Sequence, residues 1–127
     1  MSYPEKTDIL FGLLTSLNWC DKDSGTRCIR DLRNIDTTKL NQLMPTMFKL
    51  ADELYTAVHS NTGALDDMED IDKYNFLFHV IAKGQQFYFS CIVDPEFCTY
   101  ILPDQYQSLC NFIMTKLKYR SIDDMRS

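Results

Sequence analysis

Glycine is scarce in this sequence of 127 residues, and the few glycines present do not cluster. The four positions are Gly12, Gly25, Gly63 and Gly84. A loop that cradles phosphate groups needs several glycines close together, because the backbone must approach the phosphate. The sequence therefore predicts no phosphate-binding loop. Gly84 interrupts the apolar centre of the chain, where it either permits close helix packing or marks a kink at which the helix divides.

Closely spaced cysteine pairs are also lacking. The five cysteines are Cys20, Cys28, Cys91, Cys98 and Cys110. A zinc site usually begins with two cysteines about two to four residues apart, and no pair in this sequence is that close. An odd number of cysteines at irregular spacing, in a chain without a secretion signal, is typical of reduced thiols. We therefore predict a cytoplasmic protein without a metal site.

Histidine is rarer still, with only His59 and His79. Nucleophilic catalysis needs a thiol or hydroxyl with a base in reach, and neither histidine stands at a spacing that indicates such a pair. His79 lies in an aromatic run and is expected in the core, while His59 is expected near a helix end, where the dipole favours it. We therefore expect no catalytic residues, no cofactor and no enzyme activity. A small enzyme that uses cysteine or histidine is an alternative, and it would require a thiol of unusual reactivity.

No stretch of the sequence is long and apolar enough to cross a membrane. The most apolar segment lies within residues 66–93 and is interrupted by Lys83-Gly84-Gln85-Gln86, whereas a membrane span needs roughly 18 or more mostly apolar residues. The first residues, MSYPEKTD, do not combine a positively charged start with an apolar run, so we expect no signal peptide. These features predict a protein that stays out of the membrane.

Positive charge is nearly absent from the middle of the chain. The formal net charge is −5, and residues 61–98 account for the imbalance, with two lysines against seven carboxylates. An acidic surface repels the phosphates of nucleic acids and attracts basic proteins. We therefore expect no direct binding of nucleic acid, and we expect a basic protein as the partner.

What the sequence does contain is a stretch from Asp66 to Val93 that begins with carboxylates and continues as a mostly apolar and aromatic segment. One set of residues in this stretch recurs every three or four positions, which is the spacing of residues on one face of an α-helix. The members of that face are Met68, Ile71, Asn75, Phe78, Ala82, Gln85, Phe89 and Ile92. Further apolar residues fill most of the remaining circumference, so this helix is predicted to be the buried centre of the fold.

Helical periodicity and helix-start signals recur along the rest of the chain. The predicted helices span residues 2–20, 26–33, 36–59 and about 66–93, followed by a brief helix from Pro95 and a last helix from Pro103. Pro45 lies inside the third of these and predicts a kink or a break near Leu43-Met44. The residues after about Ser121 are expected to fray. The predicted fold is all-α: a single domain over residues 1–127, built as an irregular bundle of five to six helices around the aromatic-rich central helix.

The candidate protein-binding surface is the acidic start of the central helix. Its carboxylates are Asp66, Asp67, Glu69, Asp70 and Asp72, with Asp94 and Glu96 as weaker additions. A helix start favours one or two acids, because the free N–H groups and the helix dipole stabilise each by about 0.3–1 kcal/mol. Five acids exceed what capping needs, since like charges repel one another. The cluster is either a solvated, capped helix start or a surface that faces a partner, and Tyr74 beside it is the candidate aromatic anchor.

An acidic, all-helical protein without catalytic equipment fits a role in binding another protein. The favoured hypothesis is an immunity protein or antitoxin that neutralises a basic toxin, for example a nuclease domain, whose phosphate-binding surface is basic. The first alternative is a regulatory or adaptor bundle, such as a viral protein that modulates its host, which binds a partner helix in an apolar groove. Salt separates the two, because association led by charge slows as ionic strength rises, whereas groove binding barely responds.

Overall fold

The structure of the protein is a computed structural model that describes residues 7–13, 34–62, 65–99 and 109–126. Residues 7–13 are helical. The further helices are α1 (Thr37–Thr62), α2 (Asp70–Ala82), α3 (Gln85–Val93), α4 (Pro95–Thr99), α5 (Leu109–Lys116) and α6 (Ile122–Arg126). The described residues contain no strand, and the predicted all-α class is confirmed.

The longest helix, α1, begins where the sequence predicts it. The Asp36 carboxylate accepts a hydrogen bond of 3.0 Å from the backbone N–H of Thr38, which satisfies one of the free donors at a helix start. Pro45 lies inside α1, which continues without interruption, so of the predicted kink or break, the break does not occur. Pro45 and Asn41 are both exposed. Proline has no backbone N–H, so the carbonyl of Asn41 lacks its helical donor. This carbonyl lies on the solvent side of α1, where water can hydrate it.

The central stretch is helical over most of its length, but it divides into two helices. α2 ends at Ala82 and α3 begins at Gln85, with Gly84 between them at φ 113° and ψ 166°. An L side chain is strained at this positive φ, so glycine lets the chain change direction here. Gly84 therefore marks the point at which the helix divides, which is the second of its two predicted roles. α2 also begins later than predicted, because residues 65–69 form a turn and bend.

α2 is the centre of the bundle, since it packs against α1, α3 and α5. Its residues from Asn75 to Ala82 are all buried, so this part of the helix is enclosed on every side, in agreement with its apolar circumference. Phe76 and Phe78 are among the largest fully buried side chains. Each such side chain contributes roughly 1.5–3 kcal/mol by leaving water. The described buried apolar residues, from Leu10 to Met125, belong to one core cluster.

α3 and α4 pack on α1 and on each other. Tyr88 and Cys91 are the buried residues of α3, and the ring of Tyr88 lies against that of Phe11 with the centroids 5.7 Å apart. α4 begins at Pro95, as predicted, and the amide of Phe97 donates a hydrogen bond of 3.0 Å to the carbonyl of Asp94. These contacts place the second half of the central stretch beside α1.

The last described helix, α6, corrects the prediction that the chain frays after about Ser121. Ile122 and Met125 are buried, and their three-residue spacing places both on one side of the helix. The hydroxyl of Ser121 accepts a hydrogen bond of 3.1 Å from the amide of Asp124, which caps the helix. Two apolar residues give too weak a local signal to predict a helix. Packing against α1 supplies the stability that the local sequence does not.

The remaining predictions concern segments that the structure describes in part or not at all. Within the predicted first helix, residues 7–13 are described and are helical. The predicted helix over residues 26–33 and the predicted start of the last helix at Pro103 lie outside the described residues. Among the helices that the structure describes, none has the length and apolar character that crossing a membrane requires.

Candidate protein-binding surface

The acidic residues lie on a turn that is anchored in the core. This acidic turn comprises residues 65–72 and includes the first three residues of α2. Leu65 is fully buried, and Met68 and Ile71 are partly buried against the core cluster. Their three-residue spacing gives the turn an apolar underside, and a hydrogen bond of 3.2 Å from the amide of Met68 to the carbonyl of Leu65 closes its first bend. The carboxylates between these positions therefore point away from the core.

All five predicted carboxylates of the acidic turn are exposed. They are Asp66, Asp67, Glu69, Asp70 and Asp72. Asp70 and Asp72 lie in the first turn of α2, where the helix dipole stabilises them. Asp66 and Asp67 precede the helix, so a capped helix start explains only part of the cluster.

Two members of the acidic turn have partners within the protein. Nδ1 of His59 lies 2.6 Å from Oδ1 of Asp66, and the His59 ring stacks on Tyr55 with the centroids 5.5 Å apart. Nζ of Lys73 lies 3.7 Å from Oδ1 of Asp70. The acidic side chains in these pairs are 46% and 74% exposed. Exposed ion pairs are weak, so both carboxylates can exchange these partners for others at small cost.

The other three carboxylates, Asp67, Glu69 and Asp72, form no ion pair with any residue that the structure describes. All three are exposed, and water therefore solvates them in the free protein. A positive charge on a partner can replace part of that hydration with a direct contact. Among the residues that the structure describes, the acidic turn thus presents more negative charge than these ion pairs use.

Tyr74, the predicted aromatic anchor, is half-buried between α1 and α2. Its ring packs edge-on against Phe48 and Phe78, with centroid distances of 5.4 and 6.1 Å. Its hydroxyl donates a hydrogen bond of 3.0 Å to Oδ1 of Asp52. Burial, and secondarily the charge of Asp52, raises the pKa of Tyr74 to about 12. The structure therefore uses both the ring and the hydroxyl of Tyr74 within the protein.

Asp94 and Glu96 form a separate acidic position at the start of α4. Both are exposed, and α2 and α3 separate them from the acidic turn along the chain. Glu96 lies in the first turn of α4, where free backbone N–H groups favour a carboxylate. The two residues therefore belong to another helix start and not to the acidic turn.

A cleft of about 320 Å³ borders the acidic turn. Glu69, Asp70 and Ile71 line one side of it, and Met114 of α5 and residues 120–123 line the other. Ile71 and Met114 are partly buried against the core, so the cleft combines apolar side chains with charged ones, and Arg120 lines it together with the carboxylates. Sequence reasoning missed this cleft because it joins segments that are far apart in the chain, and no local pattern links them.

A larger and more apolar groove, of about 790 Å³, lies along α3. Its lining residues are Gln85, Gln86, Phe89, Ser90, Val93 and Asp94. Phe89 is 47% exposed and Val93 is 85% exposed. Because the two residues are one helical turn apart, they form an apolar patch on the surface. Binding of a partner helix in a groove requires a surface of this type.

His79 and Cys110 are buried in the core. Burial, with the charge of Lys83 as a second cause, lowers the pKa of His79 to about 4, so its ring is neutral at neutral pH. Burial raises the pKa of the Cys110 thiol to about 12, so this sulfur stays protonated. Cys91 is buried as well. Within the described ranges, no group of three or more His, Cys, Asp or Glu side chains is arranged to hold a metal ion.

Comparisons of the chain with protein-family models, with curated proteins and with solved structures find no match. Two described surfaces have a distinctive chemistry: the acidic turn with its cleft is rich in exposed carboxylates, and the groove along α3 is apolar.

Proposed function

We propose that this protein works by binding a basic protein through the acidic turn, without enzyme activity of its own. The observation that carries the proposal is the orientation of the turn, whose apolar residues are anchored in the core while five carboxylates face solvent. Such a surface attracts positive charge and repels phosphate. The proposal therefore also excludes direct binding of nucleic acid.

The anchoring of the turn favours binding, because a fixed surface loses little conformational freedom when a partner arrives. Leu65 holds the start of the turn in the core, and α2 continues from its end. Complementary charge then raises the rate of encounter by about 10- to 1000-fold at low salt. Exposed ion pairs add little affinity by themselves, so the partner also needs an apolar anchor. The cleft beside Ile71 and Met114 can accept one.

Within this class we favour an immunity protein or antitoxin that neutralises a basic toxin, with a nuclease domain as the leading candidate. A nuclease presents positive charge where it binds phosphate. The acidic turn would occupy that surface in place of nucleic acid and so block it. The buried thiol of Cys110 is suited to a reducing compartment, which supports a cytoplasmic location.

Two triple variants with the same change in charge test the proposal. The turn variant is D67N/E69Q/D72N, and the control variant is D8N/D36N/D124N. All six residues are exposed, and asparagine at position 36 preserves the cap of α1. Each variant removes three negative charges, so any difference between them reports where the charge lies and not how much there is.

The partner, isolated from the native source with the wild-type protein, is then titrated against all three proteins at low salt. We expect the association rate constant to fall about tenfold or more for the turn variant and less than about twofold for the control. Raising the salt concentration should slow the wild type and bring it toward the turn variant. Equal rates for the two variants would remove the acidic turn from the binding mechanism.

The groove along α3 supports a second candidate, a regulatory or adaptor protein that binds a partner helix, as a viral protein that modulates its host would do. Phe89 and Val93 supply the exposed apolar surface that this function needs. V93D places a charge in the groove and should abolish binding by this route, while salt should have little effect. A partner of the acidic turn should show the opposite pattern, with steep salt dependence and no response to V93D.

A further inference from the structure

Arg126 of α6 binds in a site built by α1 and α2. Its guanidinium donates two hydrogen bonds to Asp52, from Nη1 to Oδ1 at 3.0 Å and from Nη2 to Oδ2 at 2.7 Å, which is the paired geometry of a guanidinium fork and a carboxylate. The guanidinium carbon lies 5.1 Å from the ring centroid of Phe48 and 5.6 Å from that of Tyr74, within cation–π range. Phe48, Asp52 and Tyr74 are together called the guanidinium site below.

Contacts between α1 and α2 hold the guanidinium site in place. Phe48 and Asp52 are one turn apart on α1, and the ring of Tyr74 packs on Phe48. The Tyr74 hydroxyl donates to Asp52 and accepts a hydrogen bond from Arg126, so it helps to orient the carboxylate toward the guanidinium. Because the pKa of Tyr74 is raised to about 12, this hydroxyl keeps its proton at neutral pH. Contacts between α1 and α2 therefore support the site in addition to those that Arg126 makes.

The helix that carries Arg126 is weakly attached. α6 has five residues, far fewer than the roughly 12–15 that an isolated helix needs in water. Its main contacts are the buried side chains of Ile122 and Met125 and the pair between Arg126 and Asp52, in which the two side chains are 37% and 43% exposed. Its paired geometry makes this contact stronger than a simple surface ion pair. These contacts are nevertheless few, and release of α6 leaves the packing of α2 against α1 and α5 in place.

An unfilled cleft of about 570 Å³ continues from the guanidinium site along α1. Met44 and Phe48 line its apolar part, Asp52 and Glu53 supply negative charge beside Lys49, and α6 forms part of the opposite wall. α6 therefore covers only part of the surface that begins at the guanidinium site. A longer segment with the same chemistry would contact the site and the cleft together.

We propose that α6 is a displaceable strap, and that the guanidinium site and its cleft take an arginine-bearing amphipathic helix of a protein partner in its place. The template for this occupant is the protein's own segment, in which Ile122 and Met125 are buried and Arg126 follows directly. Lysine is a poor substitute for arginine here, because an ammonium group lacks the planar fork and stacks less well on aromatic rings. The inference goes beyond the proposed function and does not depend on the acidic turn.

Binding of a designed peptide to the full chain tests this proposal. The peptide has about 15 residues, enough for partial helix formation, and repeats the Ile-x-x-Met-Arg spacing of α6. Fluorescence anisotropy gives its affinity for the wild type, for R126A and for R126A/D52N. R126A weakens the strap and leaves the site intact, so the peptide should bind about three- to tenfold more tightly than to the wild type. Adding D52N removes the carboxylate that the peptide arginine needs, so this gain should be lost.

The controls separate the guanidinium site from general charge effects. R120A removes an exposed arginine outside the site and should leave the affinity within about twofold of the wild type. A peptide with glutamine in place of arginine should bind R126A more weakly than the arginine peptide does and should not respond to D52N, and a lysine peptide should fall between the two. These peptide variants keep the test decisive if a protein variant proves unstable, which thermal unfolding followed by circular dichroism detects. The proposal is overturned if no protein binds the peptide, if R126A binds it no more tightly than R120A, or if the gain survives D52N.

Discussion

The hydroxyl of Tyr88 lies 2.8 Å from the main-chain carbonyl oxygen of Leu50 and donates a hydrogen bond that joins α3 to α1. Both residues are buried. A carbonyl oxygen has two lone pairs, so this bond adds to the helical hydrogen bonding of α1 and does not compete with it. The position of α3 after the break at Gly84 is therefore set by a directional contact as well as by apolar packing.

Replacing Tyr88 by phenylalanine should lower the free energy of unfolding by about 1 kcal/mol. The variant loses the hydroxyl but keeps the ring, and with it the contact to Phe11. Y119F is the matched control, because the Tyr119 hydroxyl donates to the exposed Asn41 at 3.0 Å and its loss should change stability by less than about 0.5 kcal/mol. Urea unfolding gives both values. A smaller effect for Y88F than for Y119F would show that the bond to Leu50 does not hold α3.

Two glycine-to-alanine substitutions should have opposite effects. Gly84 has a φ of 113°, a conformation in which a side chain is strained, so G84A should destabilise the protein by roughly 1–3 kcal/mol. Gly12 lies in a described helical segment and is exposed, and a Cβ added there meets no atom within 4 Å. G12A should therefore stabilise the protein by up to about 1 kcal/mol. Thermal unfolding of the two variants checks both signs, and a neutral G84A would contradict the conformational role of Gly84.

Local sequence patterns predicted the helical class and the central position of α2, because both follow from the spacing of apolar residues. They did not predict where the central stretch divides, since Gly84 is compatible with either a packed or a broken helix. The conformation of Gly84 depends on where Tyr88 and Cys91 find buried positions beside α1. Such tertiary contacts are not visible in the periodicity of a single helix.

Of the candidate sites, one can be predicted from local sequence and the other cannot. The outward orientation of the acidic turn follows from the local spacing of Leu65, Met68 and Ile71, which can be read directly from the sequence. The pair between Asp52 and Arg126 joins residues 74 positions apart, and no local pattern connects them. The position of Tyr74 in the chain predicts a place beside the acidic turn, whereas its helical face directs its hydroxyl to Asp52.

The buried thiols provide a test of the alternative in which the protein is an enzyme that uses cysteine. Cys91 and Cys110 are buried, and burial raises the pKa of Cys110 to about 12, so little reactive thiolate forms at neutral pH. We expect both to react with iodoacetamide at least about a hundredfold more slowly than a free thiol. Mass spectrometry of the labelled peptides follows each cysteine separately, and labelling in urea serves as the control. Rapid labelling of either residue in the folded protein would revive the enzyme hypothesis.

Because His79 is buried, the free energy of unfolding should be lower in weak acid than at neutral pH. Burial and the charge of Lys83 lower its pKa from 6.5 to about 4 in the folded protein. Between these two values the unfolded chain binds a proton that the folded protein does not. The free energy of unfolding should therefore fall as the pH decreases from about 6.5 to about 4, by up to roughly 3 kcal/mol from this group. Above about pH 6.5 the contribution is complete and constant.

Two measurements isolate the contribution of His79 from that of the carboxylates, which also titrate in weak acid. Urea unfolding of the wild type and of H79Q across this pH range should give a shallower pH dependence for the variant, whatever its stability at neutral pH. NMR of the imidazole protons, assigned with H79Q, should place the titration midpoint of His79 near 4, in agreement with its buried position. A midpoint near 6.5 would mean that water reaches the ring. In that case α2 would not be closed around His79, and the enclosed centre on which the anchoring of the acidic turn depends would have to be reconsidered.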